Sequence, residues 1–412
     1  MNLNIIINVG LRSSTLVSKF ALLFFLAKFS TPETVGLYGL VTVTVGYLLY
    51  LLGLDFYTYT TREMLSTDNS NWPEIIKNQV GFFTVTYLLF LPCIYFLFFL
   101  DILPKNIVLL FYGVLILEHI TQELNRLLIA MGKVLTASWV LFFRSGLWCY
   151  IAVGLISFKV FKNDLVVVLT SWILGGAIAT IIGLIILSKY DWRSVNWLRM
   201  DWKWIRKGLS VAGLFLLGTL CLRGIYTADR YIIQSLSGLA AVGVYTFYAG
   251  VSNAFSTFID AVIISFRYPK IVQAYRSNNI ALFLEYKQKM LKSIILTSLI
   301  IGGSAILLIQ SILDIIGNAT YIDKLYIFGY LLAAASVTCI SYVPHYALYA
   351  MGKDKYLAAI NIGGVLIFLI FVQIQIRYFE SITSVSFSIL LVSLYFLVAK
   401  QTLCFTLTRK FN

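Results

Sequence analysis

Seven basic and five acidic residues lie inside long apolar runs of this 412-residue chain: Arg12, Lys19, Arg126, Arg144, Arg223, Arg230 and Lys400, with Asp55, Glu118, Glu123, Asp229 and Asp260. An ionised group among apolar neighbours is costly, so each must face a partner or a water-filled cavity. Some partners are local. Glu123 and Arg126 are three apart and share a helix face, and Asp229 adjoins Arg230. Arg126 and Lys400 are also near enough to a predicted helix end to snorkel toward the interface. Arg12, Lys19, Arg144 and Arg223 have no acid nearby in sequence. Arg12 and Lys19 are seven residues apart, two helical turns on one face, and so are Arg223 and Arg230. Such stripes predict a cationic cavity. A cavity of that kind concentrates phosphate or carboxylate, and the arginine fork grips either with two parallel hydrogen bonds. The competing expectation is that these cations pair with acids on other helices. Glu118, His119 and Glu123, with Asp229 and Asp260, are candidates for ion coupling. For His119 the alternatives are a proton relay and a hydrogen-bonded packing site. The five cysteines stand singly, with no CxxC pair and no Cys/His cluster, so neither a metal site nor a cofactor is expected.

The elements that must carry these charges follow from hydropathy. Apolar residues make up 60% of the chain and charged residues 12%, and the mean hydropathy is +0.87. A soluble domain has about 25% charged residues. With about 20 apolar residues needed per crossing, helices are predicted over 9–29, 35–54, 80–100, 106–130, 134–157, 165–188, 208–235, 240–266, 290–313, 325–350, 356–376 and 383–406. The expected fold is therefore an all-α integral membrane protein with about twelve transmembrane helices. The start of the chain has no charged segment followed by a small-residue cleavage site, so the first apolar run is expected to be retained. With both termini cytoplasmic, the inner loops hold nineteen Lys/Arg and the outer loops six. That follows the positive-inside rule. It accounts for most of the +14 net charge without a nucleic-acid partner.

The chain also repeats itself. TVGLY at 34–38 and AVGVY at 241–245 each open the second helix of a half. LLIAMGK at 127–133 and ALYAMGK at 347–353 each close the fourth. Two six-helix units of the same orientation predict pseudo-symmetric bundles around a central cavity. The expected boundaries are an N-terminal bundle over 1–190, a basic linker over 191–207 and a C-terminal bundle over 208–412. Four of the eight tryptophans fall in 189–207 among basic residues. An interfacial segment on the cytoplasmic leaflet or an ordinary loop would each accommodate them.

LAKFSTPETVGLYGLVTV at 26–43, ADRYIIQSLSGLAAVGVYTFYAGVSNAF at 228–255 and NRLLIAMGKVLTASWVLFFR at 125–144 resemble polysaccharide flippases of the multidrug/oligosaccharidyl-lipid/polysaccharide exporter superfamily. The likeness extends over the chain by helix count and spacing, and is strongest to the Wzx-type O-antigen or capsule-repeat flippases. The resemblance implies a transporter, not an enzyme, in a bacterial cytoplasmic (inner) membrane. Its substrate would be an undecaprenyl-diphosphate-linked oligosaccharide, moved by two bundles that rock between inward-open and outward-open states. Arg12, Lys19, Arg144 and Arg223, with Arg230 as a weaker member, would hold the diphosphate or acidic sugars. A proton or sodium gradient would drive the cycle. Membrane lipids, a polysaccharide polymerase and a chain-length regulator are the further partners implied. A multidrug/cation antiporter of the same fold is the nearest rival; the excess of basic over acidic residues in the spans disfavours it. A polysaccharide polymerase, a membrane enzyme, would need a large outer loop with catalytic residues, and the predicted outer loops are short.

Overall fold

The computed structural model describes residues 3–159, 161, 164–193 and 195–409; Lys162 and Lys410, both counted in the charge comparison, lie outside them. The described residues are almost wholly helical. In chain order the helices are α1 Leu3–Phe29, α2 Pro32–Gly53, α3 Tyr57–Ser66, α4 Trp72–Ile94, α5 Phe96–Phe99, α6 Val108–Ala130, α7 Val134–Phe142, α8 Trp148–Ser157 and α9 Asp164–Leu187. They continue with α10 Trp202–Ile259, α11 Ser265–Arg276, α12 Ile280–Ile316, α13 Ala319–Ile322, α14 Tyr326–Ala350, α15 Asp354–Gln375 and α16 Ser381–Thr408. Eleven segments among the described residues are long and apolar enough to cross a membrane. One of them, Leu216–Arg276, has 61 residues, about 90 Å at 1.5 Å per residue, far more than one bilayer. It is interrupted at Gly238, where φ is 78° and ψ is −179°. The sequence places its break between 235 and 240, at that residue.

Two compact units are formed, one from Met1–Phe29 and Val41–Leu216, the other from Ser30–Leu40 and Leu217–Asn412. The division differs from the predicted boundaries at two places. Residues 191–216 join the first unit, and the first turns of α2 join the second.

Within the first unit the linker is docked by polar bonds. The buried Lys77 ammonium donates to the carbonyls of Arg199, at 2.6 Å, and Asn196, and pairs with Glu74. Asn78 Oδ1 accepts from the Asp201 N–H at 3.0 Å. Trp204 packs its ring against Phe56 and Tyr59. Within the second unit α14 packs along α16, whose buried serines 384, 386, 388 and 393 let the helices approach.

Both sequence repeats acquire a physical reason here. AMGK is a helix stop. Gly132 and Gly352 have φ of 73° and 66°. In each, the glycine N–H bonds two carbonyls back from the last helical residue's neighbour, to Ile129 or Tyr349. The following lysine N–H returns to Leu128 or Leu348 at 2.8 and 3.0 Å. That is the paired closure of a left-handed glycine cap. VG is a helix crossing, and it lies within the second unit. A Cβ on Gly36 would stand 2.1 Å from the Leu239 carbonyl oxygen and 3.0 Å from Gly243 N. A Cβ on Gly243 would stand 2.0 Å from the Pro32 carbonyl oxygen and 3.2 Å from Gly36 N. The offset of 207 residues that relates the repeats also relates the two contacts, so this crossing has local two-fold symmetry. Only glycine permits it.

Candidate functional site

In the first unit, α2 ends where Leu54 and Asp55 both take positive φ, 47° and 52°. Two consecutive non-glycine residues in that region are strained. Helix breaks at membrane depth are tolerated where the backbone lines a polar site. Asp55 is 5% exposed, and α3 restarts beyond it. Against this break α6 presents Glu118, His119 and Glu123, all buried. They lie at i, i+1 and i+5, so they fan over the inner side of the helix toward different neighbours.

Glu123 is bonded to Arg126, the local pair expected from their spacing, and accepts a hydrogen bond from Gln79 Nε2 of α4 at 2.9 Å. The Arg126 guanidinium also lies 3.5 Å from the Tyr57 ring centroid. That contact and the Glu123 bond hold it, so it does not extend to the interface as snorkelling would require. Glu118 accepts from Arg144, with Nη2 at 2.7 Å and Nε at 2.8 Å. Its other oxygen accepts from Trp172 Nε1 at 3.1 Å. The expectation that Arg144 pairs with an acid on another helix is the one its geometry meets. Arg144 is carried by a π-helical turn, Phe143–Leu147. The extra residue in such a turn re-aims a side chain and often marks a functional position. Trp148, after the turn, stacks on Trp172 with centroids 5.0 Å apart and planes 9° apart, which fixes the indole that bonds Glu118. His119 Nδ1 shares a hydrogen bond with Tyr87 at 2.7 Å, and Phe83 meets its ring edge-on at 4.8 Å.

In the second unit Arg230 and Asp229 are buried and paired, at 3.1 Å. Tyr245 donates to Asp229 Oδ2 at 2.7 Å. Tyr245 belongs to AVGVY, so the second repeat motif supplies a partner to this pair. Lys400 is 6% exposed with its ammonium 4.9 Å from the Phe396 centroid. It is packed inside rather than extended to the interface. Asp260 is exposed, at the head of a second π-helical turn, Asp260–Ile264.

The cations that remain are exposed. Arg12 and Lys19 lie on α1, exposed, and neither has a hydrogen-bonded or ion-paired partner among the described residues. Arg223 is also exposed and acts electrostatically on Tyr226. The structure therefore sorts the five predicted binding residues. Arg12, Lys19 and Arg223 present accessible charge, whereas Arg144 and Arg230 are neutralised by Glu118 and Asp229. Gln79, Tyr87 and Trp172 complete the buried sites and were not predicted. They are uncharged, and a search for intramembrane charge does not find them. Among the described residues no three His, Cys, Asp or Glu side chains are grouped to hold a metal ion.

The fold is shared with solved transporters of the multidrug/oligosaccharidyl-lipid/polysaccharide superfamily. A multidrug resistance MATE-family transporter of that superfamily, in its inward-facing conformation, superposes with a TM-score of 0.71. The identity is 13%, over 98% of this chain and 99% of that one. The lipid II flippase MurJ, inward closed, gives 0.76 at 11% identity, over 96% of this chain and 86% of that one. A superfamily transporter from Pyrococcus furiosus, described as having a binding pocket of reversed polarity, gives 0.59 at 13% identity, over 98% and 94%. By sequence, residues 3–275 match the family described as polysaccharide biosynthesis protein, and the chain belongs to that family. No curated protein matches it.

Proposed function

We propose that the protein is a flippase that carries undecaprenyl-diphosphate-linked oligosaccharide repeat units, of O-antigen, capsule or exopolysaccharide type, from the cytoplasmic to the outer leaflet by alternating access. The single observation that carries this reading is the exposure of Arg12 and Lys19 on a membrane-spanning helix, without a partner among the described residues. A charge at that depth is stable against water and not against lipid. The two cations therefore mark an aqueous surface suited to an anion, and Arg223 adds a third. Membership of a polysaccharide biosynthesis family supports a lipid-linked sugar as the cargo, whose diphosphate would be the anion. The protein would sit in the bacterial cytoplasmic membrane with both termini inside, the orientation the loop charges favour. A polysaccharide polymerase and a chain-length regulator would act on its product.

The test is made in the host. After deletion of the gene, intact lipid-linked units should accumulate on the cytoplasmic leaflet, and the wild-type gene should restore export. Arg12→Ala, Lys19→Ala and Arg223→Ala should be expressed at normal levels and fail to restore it. Units that reach the outer leaflet unpolymerised in the deletion strain would refute flipping. Full rescue by all three variants would refute the anion site.

A further inference from the structure

The tryptophan-rich linker is held firmly on its inner side. Val195 and Ile205 are buried. Trp192 Nε1 donates to the Leu187 carbonyl at 2.8 Å, and Tyr190 meets the Trp72 ring at 5.7 Å. Met200 is seated over Gly81, where a Cβ would stand 2.2 Å from its Cε. At the start of α10, Ile205, Gly208 and Ala212 form a buried stripe at i, i+3 and i+7. A Cβ on Gly208 would stand 2.5 Å from Phe56 Cε2 and 2.6 Å from Tyr59 Cδ1. With the bonds to Lys77 and Asn78, these contacts fix the linker in one conformation.

The outer side displays large apolar groups. Asn196 Oδ1 accepts from the Leu198 N–H at 3.1 Å, which sets the turn that carries Trp197 and Leu198 outward. Leu198 is 98% exposed and Trp197 55%. On α10, Trp202 (59% exposed), Arg206 and Leu209 share the outward face at i, i+4 and i+7. Arg193, Arg199, Lys203 and Arg206 are exposed around these tips, and none has an ion-paired partner among the described residues. Lys207 is turned toward Glu63, at 3.9 Å. The two acids nearby, Asp191 and Asp201, each give an oxygen to a backbone N–H, of Arg193 and Trp204. The outer surface is therefore apolar at its tips and cationic around them.

Connectivity puts this surface at the edge of a bilayer. The linker leaves Leu187, the last residue of one membrane-spanning segment, and is bonded to the first turns of another, Asn69–Phe99. Apolar tips of this size are unfavourable in water. Tryptophan and leucine at the level of helix ends are stable at the headgroup boundary, where Lys and Arg meet lipid phosphates. We propose that the linker is a docking surface for the membrane: Trp197, Leu198 and Trp202 enter the headgroup boundary, and Arg193, Arg199, Lys203 and Arg206 gather anionic phospholipid around them. A soluble acidic partner would bind a groove or a flat patch. Here the apolar groups stand out as separate tips, a form that a fluid lipid surface accepts. The proposal goes beyond the transport reading and does not rest on it; it needs only that the helices cross a bilayer.

The test uses the full-length protein in nanodiscs of phosphatidylcholine and phosphatidylglycerol in fixed proportion. Bromine, which quenches tryptophan fluorescence on contact, is carried on the acyl chains of one lipid or of the other. The signal of the two outward indoles is the difference between wild type and the Trp197→Phe/Trp202→Phe variant. Brominated phosphatidylglycerol should quench it more than brominated phosphatidylcholine at the same mole fraction. The preference should be about fivefold or more, the worth of one Lys or Arg near an anionic surface, and it should fade as salt screens the charges. Arg193→Gln, Arg199→Gln, Lys203→Gln and Arg206→Gln combined should bring the two lipids level while quenching persists. No quenching by either lipid would leave the tips in water, or against a soluble partner, and overturn the membrane contact. Equal quenching by both in wild type would overturn the anionic preference. A preference that survives the four glutamines, or high salt on wild type, would overturn its assignment to these cations. Each result stands whether or not the Arg12, Lys19 and Arg223 variants restore export, so failure here and failure of the flippase reading are read separately.

Discussion

The crossing at Gly36 and Gly243 makes a quantitative demand. A carbon and a carbonyl oxygen in contact are about 3.3 Å apart or more, whereas a Cβ on Gly36 would lie 2.1 Å from the Leu239 oxygen. Gly36→Ala must therefore push the two helices apart by about 1.2 Å. The clash is with backbone, so no side-chain rotation relieves it. Separation forfeits two Cα–H···O contacts at about 0.5–1 kcal/mol each, and overpacking adds about 1–3 kcal/mol. The single substitution should cost about 2–5 kcal/mol, and by the local symmetry Gly243→Ala should cost about the same. One separation relieves both clashes, because each methyl would press on the partner's backbone across the same gap. The double variant should therefore cost little more than either single one, so the coupling between the sites should be nearly as large as one single cost. Thermal unfolding of the four proteins in one detergent measures the cycle. Costs that add to within about 0.5 kcal/mol would refute the shared crossing, and so would a single substitution with no effect.

Other substitutions test the polar sites. Arg144→Ala strands the Glu118 carboxylate with Trp172 as its remaining partner, and should cost about 3–5 kcal/mol. The double change Glu118→Met with Arg144→Met should recover most of that in a thermal-unfolding assay. Lys77→Met removes the donor from the Asn196 and Arg199 carbonyls, at about 1–3 kcal/mol. It should make the 191–201 linker open to trypsin at Arg193 and Arg199 while wild type resists. Burial, then the Glu63 carboxylate nearby, pushes the Tyr59 phenol up to about 12. The unfolded phenol ionises near 10, so the stability that Tyr59 contributes is whole below that pH. It is lost between about pH 10 and 12, at about 1.4 kcal/mol per pH unit. Tyr59→Phe should remove this alkaline phase, and phenolate absorbance should report the same midpoint in wild type.

Much of the helical frame is legible because hydropathy and turn chemistry are local properties. The predicted run at 35–54 is α2 to within a turn, and the gap between 235 and 240 holds the Gly238 break. The Glu123–Arg126 and Asp229–Arg230 pairs were readable from spacing alone. What was not readable is tertiary. Glu118 and Arg144 are 26 residues apart, and only the packing of α6 against α9 and the π turn brings them together. A π turn has no sequence signature of its own, so the re-aiming of Arg144 toward an acid could not be foreseen. Asp55 was visible as an intramembrane acid, but its place at a strained break followed from two backbone angles that no residue type announces. The repeats clarify which features belong to the frame and which to the chemistry. The glycine caps and the glycine crossing recur at matched positions because they shape helices, and both halves need the same shape. The charges do not recur. Carried forward by the 220-residue offset of the AMGK match, Glu118, His119, Glu123 and Arg144 fall on Thr338, Cys339, Val343 and Gly364. Carried back by 207, Asp229 and Arg230 fall on Leu22 and Leu23. A buried ion pair forms only where both partners meet, so a repeat that preserves helix shape need not preserve the pair.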